Sequence, residues 1–148
     1  MNPQQLEDLT AQAARDGIVQ LVVGAVITDA GCVLVLQRPS DDFMGGIWEL
    51  PSGKVDPGET LDTALKREVK EETGLNLAAL SAYLGHFDYI SGSGNPSRQF
   101  NFAVQVDAPG PVALTEHTAH QWATAEDLPA VTDAVRQILN DARALQAR

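Results

Sequence analysis

Apolar positions change their period several times along the chain, and each change marks an element. Between Asn2 and Asp16 they recur at Leu6, Leu9 and Ala13, three and four residues apart, which predicts a short amphipathic helix ended by Gly17. The run I-V-Q-L-V-V-G-A-V-I-T from Ile18 to Thr28 is too apolar for a half-exposed strand and predicts a central strand covered on both faces. Asp29-Ala30-Gly31 predicts a three-residue hairpin turn, returned by a second strand from Cys32 to Gln37. Pro39 to Gly46 is polar and long enough for a mobile flap, and Ile47 to Leu50 is a short strand stopped by Pro51. From Gly53 a tight loop leads to a helix over Thr60 to Thr73, with Gly74 as its natural end.

Leu77 to Tyr89 predicts a strand with an irregular end, and S-G-S-G-N-P from Ser91 to Pro96 is turn chemistry. Phe100, Phe102, Val104 and Val106 alternate with polar residues, the period of a strand with one buried face. After the break A-P-G-P, Leu114 to His120 reads as an exposed loop before a strand at Gln121 to Ala123. Val131, Val135, Ile138, Leu139, Ala142 and Leu145 then repeat at helical spacing. Strands with helices before, among and after them predict an α/β fold in which a sheet lies between helical layers.

One helix breaks its own pattern. At about 100° per residue from Leu61, the apolar residues Ala64, Leu65 and Val69 span one arc; Glu72 at about 20° and Glu68 at about 340° fall inside it, and Glu71 at about 280° lies on its margin. Thr63, Lys66, Arg67 and Lys70 project to the opposite side. Carboxylates drawn against a protein body cost several kcal/mol each unless paired or coordinated. Three of them at i, i+3 and i+4 form an all-oxygen patch suited to Mg²⁺ or Mn²⁺ rather than zinc. The alternative is a solvated Glu/Lys face, against which the angular placement argues.

Net charge sharpens this reading. The 148 residues carry 10 basic and 20 acidic side chains, a net −10, which excludes a protein that neutralises a nucleic-acid backbone. Divalent ions would let so acidic a protein take an anionic phosphate compound. Length and a 44% hydrophobic content predict a single domain, 1–148, with 1–17 a helical extension and 131–148 a terminal helix. The single cysteine, Cys32, lies in an apolar run and reads as a small core residue in a reducing compartment. No apolar run approaches a membrane span and no export signal opens the chain, so no membrane partner and a cytoplasmic location are expected.

Gly53, five residues, Glu59, seven residues, Arg67-Glu68, Val69, Lys70, Glu71-Glu72, Thr73, Gly74 and Leu75 match the Nudix box without gap or mismatch. Gln37-Arg38 and G-G-I-W-E-L-P from Gly45 to Pro51 resemble the approach to that box in MutT-like members. The resemblance implies a Nudix-type α/β/α sandwich with a mixed sheet, and hydrolysis of a nucleoside diphosphate linked to another group, with Mg²⁺ or Mn²⁺ on the phosphates. The substrate it implies is a nucleoside triphosphate, cleaved to monophosphate and pyrophosphate. A nucleotide sugar, a dinucleotide or a non-catalytic nucleotide-binding module are the alternatives, and a homodimer is left open.

Residue by residue, the resemblance makes Glu68, Glu71 and Glu72 metal ligands, with the Gly53 carbonyl as a backbone ligand. Arg67 and Glu59 brace the loop on the helix, Arg67 as an orienting partner or as a salt bridge alone. Arg38 falls where MutT-like members place an arginine near the nucleotide. Glu116, six residues before Trp122, falls at the offset of a loop glutamate that serves as base or further metal ligand. Trp48 either stacks on a base or belongs to the core. Thr132 stands where the MutT branch has an asparagine that reads oxidised guanine, so that selectivity is not expected here.

Overall fold

A computed structural model describes residues 2–41, 45–107, 111–114 and 117–146. Asn2 caps the first helix, α1 (Pro3–Arg15), through a reciprocal box with Gln5. Seven strands follow: β1 (Gln20–Asp29), β2 (Cys32–Gln37), β3 (Trp48–Glu49), β4 (Ser52–Lys54), β5 (Leu77–Ile90), β6 (Pro96–Val106) and β7 (Ala119–Ala123). Helix α2 (Leu61–Thr73) lies between β4 and β5, and α3 (Asp133–Gln146) closes the order. The sheet runs β3-β2-β1-β6-β5, with β4 added to β1 and β7 to β2. It is mixed, since β1 pairs parallel to β6 and antiparallel to β2 and β4.

Alternation along the central strands sends side chains to two cores. Val23, Ala25 and Ile27 of β1, Leu34 and Leu36 of β2 and Phe100, Phe102 and Val104 of β6 pack with Leu61, Ala64, Leu65 and Val69 of α2 and with Leu6 and Ala13 of α1. Val26, Val33 and Val35 face the other way, toward Val135, Ile138, Leu139 and Ala142 of α3. The expected sheet between helical layers is therefore present, and the uninterrupted apolar run of β1 reflects cover on both faces. Each fully buried Leu or Phe contributes about 1.5–3 kcal/mol.

Several local expectations change. The hairpin loop is two residues, Ala30 and Gly31, because Asp29 already pairs with Cys32. Both loop residues have positive φ, 51° and 81°, the twist that a tight two-residue hairpin demands. Gly53 and Lys54, read as the start of a loop, belong with Ser52 to β4, which pairs Gly53 with Val23. Cys32 is half-buried at the start of β2 rather than in the core. Strand β6 buries both faces, Gln99 and Asn101 included, where alternation predicted one solvent face. Strand β5 was expected to be irregular at its end, but its three register shifts against β6 fall between Leu77 and His86, and His86 to Ile90 pair regularly. Asp42, Phe43 and Met44 of the predicted flap, and Ala108 to Gly110 of the second break, lie outside the described residues.

Candidate active site

Burial along α2 follows the angular reading. Glu72 is 5% exposed, the Glu68 side chain 13% and the Glu71 side chain 56%, the order in which they depart from the centre of the apolar arc. All three line one cleft of about 720 Å³, together with Ser52, Gly53, Lys54, Arg38, Trp48 and Thr132. The buried Glu72 carboxylate accepts a 3.0 Å hydrogen bond from the Ser52 N–H, so the short strand β4 answers part of its burial cost. Glu68 lies directly against the α-carbon of Gly53, and a Cβ added there would collide with its carboxylate. Glycine is thus required at 53 by close approach.

Arg67 does not stay on the far side of the helix. Its backbone is where the projection places it, but the long stem carries the guanidinium round to the carboxylates. It donates to both oxygens of Glu59 at 2.8 Å, to Glu68 at 2.7 Å, to Glu71 at 3.2 Å and to the Lys54 carbonyl at 3.0 Å. Asp56 lies 3.4 Å away. The expected brace between Arg67 and Glu59 is present, and it extends to the acidic edge itself. Arg67, then the Asp56 N–H, hold the Glu59 carboxyl down at about 2. Its hydrogen bonds to Glu59, and then to Glu68, push Arg67 further above its ordinary range.

The donor set is suited to a hard divalent ion. Every group is oxygen, Gly53 leaves the space beside Glu68 that a side chain would fill, and three carboxylates edge one cleft. Glu68 and Glu71 are turned onto Arg67 while Glu72 is turned onto Ser52. Accordingly, among the described residues no three acidic, histidine or cysteine side chains are gathered into a finished cage.

The opposite wall carries Arg38, which donates to Glu49 at 2.9 and 3.4 Å. His117 Nε2 stands 3.2 Å from Oε2 of the same carboxylate, and its buried Nδ1 has no hydrogen-bond partner among the described residues. The predicted exposed loop at 114–120 therefore buries the His117 side chain. Trp48 serves in two ways: it lines the cleft and packs against the α3 core. Thr132 caps α3, its hydroxyl oxygen accepting from the Val135 N–H at 3.2 Å, which moves the helix start from 131 to 133. Glu116 lies outside the described residues.

Glu49, Gln99 and Asp88 are among the cleft residues that the sequence reading does not mark. Glu49 had a signal, a charge between Trp48 and Leu50 in an otherwise apolar strand. Gln99 had none, since a polar residue in an alternating strand reads as solvent-facing. Asp88 pairs with the buried Arg98 at 2.7 Å, which also reaches Asp16 at 2.9 Å and ties the end of α1 to β5 and β6.

Comparison with known proteins places this architecture. The NUDIX domain model matches residues 19–142. The chain is 32% identical over 106 residues to the CTP pyrophosphohydrolase of Escherichia coli, covering 72% of this chain and 76% of that protein. It is 40% identical over 67 residues to the 8-oxo-dGTP diphosphatase of Haemophilus influenzae, covering 45% and 48%. The crystal structure of a MutT NUDIX hydrolase from Burkholderia pseudomallei superposes with a TM-score of 0.72 at 30% identity, over 82% of this chain and 96% of that one. With the complete box running from β4 through α2 along the cleft, this chain belongs to the Nudix family, as a MutT-like hydrolase of nucleotide pyrophosphate bonds.

Proposed function

We propose that the protein is a metal-dependent pyrophosphohydrolase that cleaves a nucleoside triphosphate to the monophosphate and pyrophosphate. The observation that carries this is the placing of Glu68, Glu71 and Glu72 on one edge of a nucleotide-sized cleft, one of them buried. Relatives named for CTP and for 8-oxo-dGTP support a triphosphate over a nucleotide sugar or dinucleotide. Glu68, Glu71, Glu72 and the Gly53 carbonyl would hold Mg²⁺ or Mn²⁺. A bound divalent ion supplies charge neutralisation on the phosphates and a more acidic water.

The chain's own residues supply the rest. Arg67 and Glu59 fix the loop after β4 against α2 and so fix the Gly53 backbone. Arg38 brings positive charge to the far wall, aimed by Glu49. Trp48 offers an aromatic face to the nucleoside. Glu116 is assigned as base or further metal ligand by the family pattern alone. Thr132, engaged as a helix cap, does not reproduce an asparagine that reads oxidised guanine, so oxidised dGTP is not the favoured substrate.

The test is a panel of nucleoside triphosphates, nucleotide sugars and dinucleotides with Mg²⁺ or Mn²⁺ and product identification. Pyrophosphate and a monophosphate are expected. Two monophosphates from a dinucleotide alone, or no turnover by folded protein, would overturn the proposal.

A further inference from the structure

The floor of the cleft contains an amide relay whose polarity can be derived. The Asn101 side chain is fully buried, and its Nδ2 faces the carbonyls of Gly85 at 3.3 Å and of Gln99 at 3.2 Å. Carbonyl oxygens only accept, so Asn101 must present its NH₂ to both and turn Oδ1 the other way. That Oδ1 accepts from Gln99 Nε2 at 2.9 Å. Gln99 is thereby committed to donating with its nitrogen, and Oε1 is the end of the amide that Asn101 does not use.

The pair cannot be rearranged cheaply. A Cβ on Gly24 would meet Gln99 Nε2 at 2.5 Å and Asn101 Oδ1 at 2.6 Å, so both amides lie on the bare backbone of β1. Gly24 is paired with Asn101 on one side and with Ser52 on the other. Gln99 itself is 7% exposed, lines the cleft, and is flanked in register by Val22 of β1 and Phe87 of β5, which line it too. Its strand is two strands from β4, about 10 Å across the sheet from the Gly53 edge. An acceptor fixed between apolar walls at that remove suits the edge of a flat base better than the phosphates.

Resting on the triphosphate reading above, we propose that Gln99 Oε1 selects the nucleobase by accepting from an exocyclic amino group. Cytosine and adenine, which carry an amino group at C4 or C6, are then favoured over uracil and hypoxanthine, which turn a carbonyl oxygen toward the same fixed acceptor. Because the relay cannot reverse, Gln99 cannot answer the carbonyl by rotating its amide.

Steady-state kinetics on CTP against UTP and on ATP against ITP test this. Wild type is expected to show a kcat/KM ratio of about tenfold or more for the amino member of at least one pair, the scale of one satisfied against one opposed polar contact. Gln99→Met, similar in length and lacking the acceptor, is expected to bring that ratio within about twofold, by loss on the amino substrate. Gly24→Ala, which displaces both amides, is expected to do the same. Equal rates on both pairs in wild type, or an unchanged ratio in folded Gln99→Met, would overturn the proposal. So would a change confined to CTP against dCTP, which would assign the acceptor to the sugar. Titration calorimetry with CMP and UMP, and with AMP and IMP, reads the same preference without hydrolysis. If no triphosphate is turned over, the reaction assignment fails while this comparison still decides the role of Gln99.

Discussion

Arg67 and Glu59 form a fork: Nε and Nη2 of the guanidinium donate to the two oxygens of one carboxylate, each at 2.8 Å. The remaining nitrogen, Nη1, holds Glu68 and Glu71. One planar cation therefore ties the loop after β4 to the acidic edge of α2. Lysine has the charge without the fork. Arg67→Lys is expected to cost about 1–3 kcal/mol of stability in denaturant unfolding, the range for charged hydrogen bonds lost from a half-buried site. Activity should fall about ten- to a hundredfold, and unchanged kinetics would show that Arg67 does not organise the site.

The same fork sets a pH dependence. Glu59 has its folded pKa lowered from 4.5 to about 2, chiefly by Arg67. A depressed carboxylate contributes stability that is fully present above its unfolded pKa and is lost as pH falls through the folded one. Asp16, lowered by its hydrogen bond with Gln12 and then by Arg98, and Asp88, lowered by Arg98, act with the same sign. Unfolding midpoints should therefore drop as pH falls from about 4.5 toward about 2. Glu59→Gln should flatten that slope, so that it converges with wild type at the acid end. Parallel curves would refute the assignment.

Glu72 separates chemistry from packing. Glutamine at this position keeps the volume and the oxygen that accepts from the Ser52 N–H, and removes the charge. Glu72→Gln is expected to lower kcat by about a hundred- to a thousandfold, the scale of one lost electrostatic contact in a transition state. Its circular dichroism and melting should stay near wild type. A near-normal rate would exclude Glu72 as a metal ligand.

Gly53→Ala tests the close approach of β4 and α2. The new methyl would enter the space of the Glu68 carboxylate. Calorimetric titration with Mn²⁺ should show weaker binding than wild type, and activity should fall by at least about tenfold, because Glu68 must turn away. Wild-type affinity would mean that Glu68 does not hold the ion.

Ala30 offers a stabilising change away from the site. It carries φ 51° in the tight β1–β2 hairpin, a conformation that costs a side-chain-bearing residue about 1–2 kcal/mol. Ala30→Gly removes that cost against about 0.5–1 kcal/mol of added chain entropy. A net gain of about 0.5–1 kcal/mol in the free energy of denaturant unfolding is expected, with kinetics unchanged. Destabilisation would show that the turn is not strained.

Much of the fold could be read from local pattern, because burial imposes periods on the chain. The two-sided apolar run of β1, the helical stripe of α3 and the acids inside the apolar arc of α2 each predicted a packing relation that is present. The order of burial among Glu72, Glu68 and Glu71 followed from angles alone. These are properties of residues a few positions apart, and a helix or strand sets their geometry whatever surrounds it.

What escaped that reading depends on where long side chains end and on which strand lies beside which. Arg67 projects from the far side of α2, yet its flexible stem delivers the guanidinium to Glu68 and Glu71, which no helical projection of backbone positions can express. Gln99 and Asn101 look like the wet face of a strand, and become a buried relay because Gly24 of a strand some 75 residues earlier lies beneath them in register. Glu49 gains its role from Arg38 and His117, brought together by the pairing of β2 with β3 and β7. The sequence by itself determined the family and the acidic helix, since those rest on spacing within one segment. Only the tertiary structure decided which polar groups edge the nucleotide cleft, because a sheet places side by side residues whose separation along the chain carries no record of their contact.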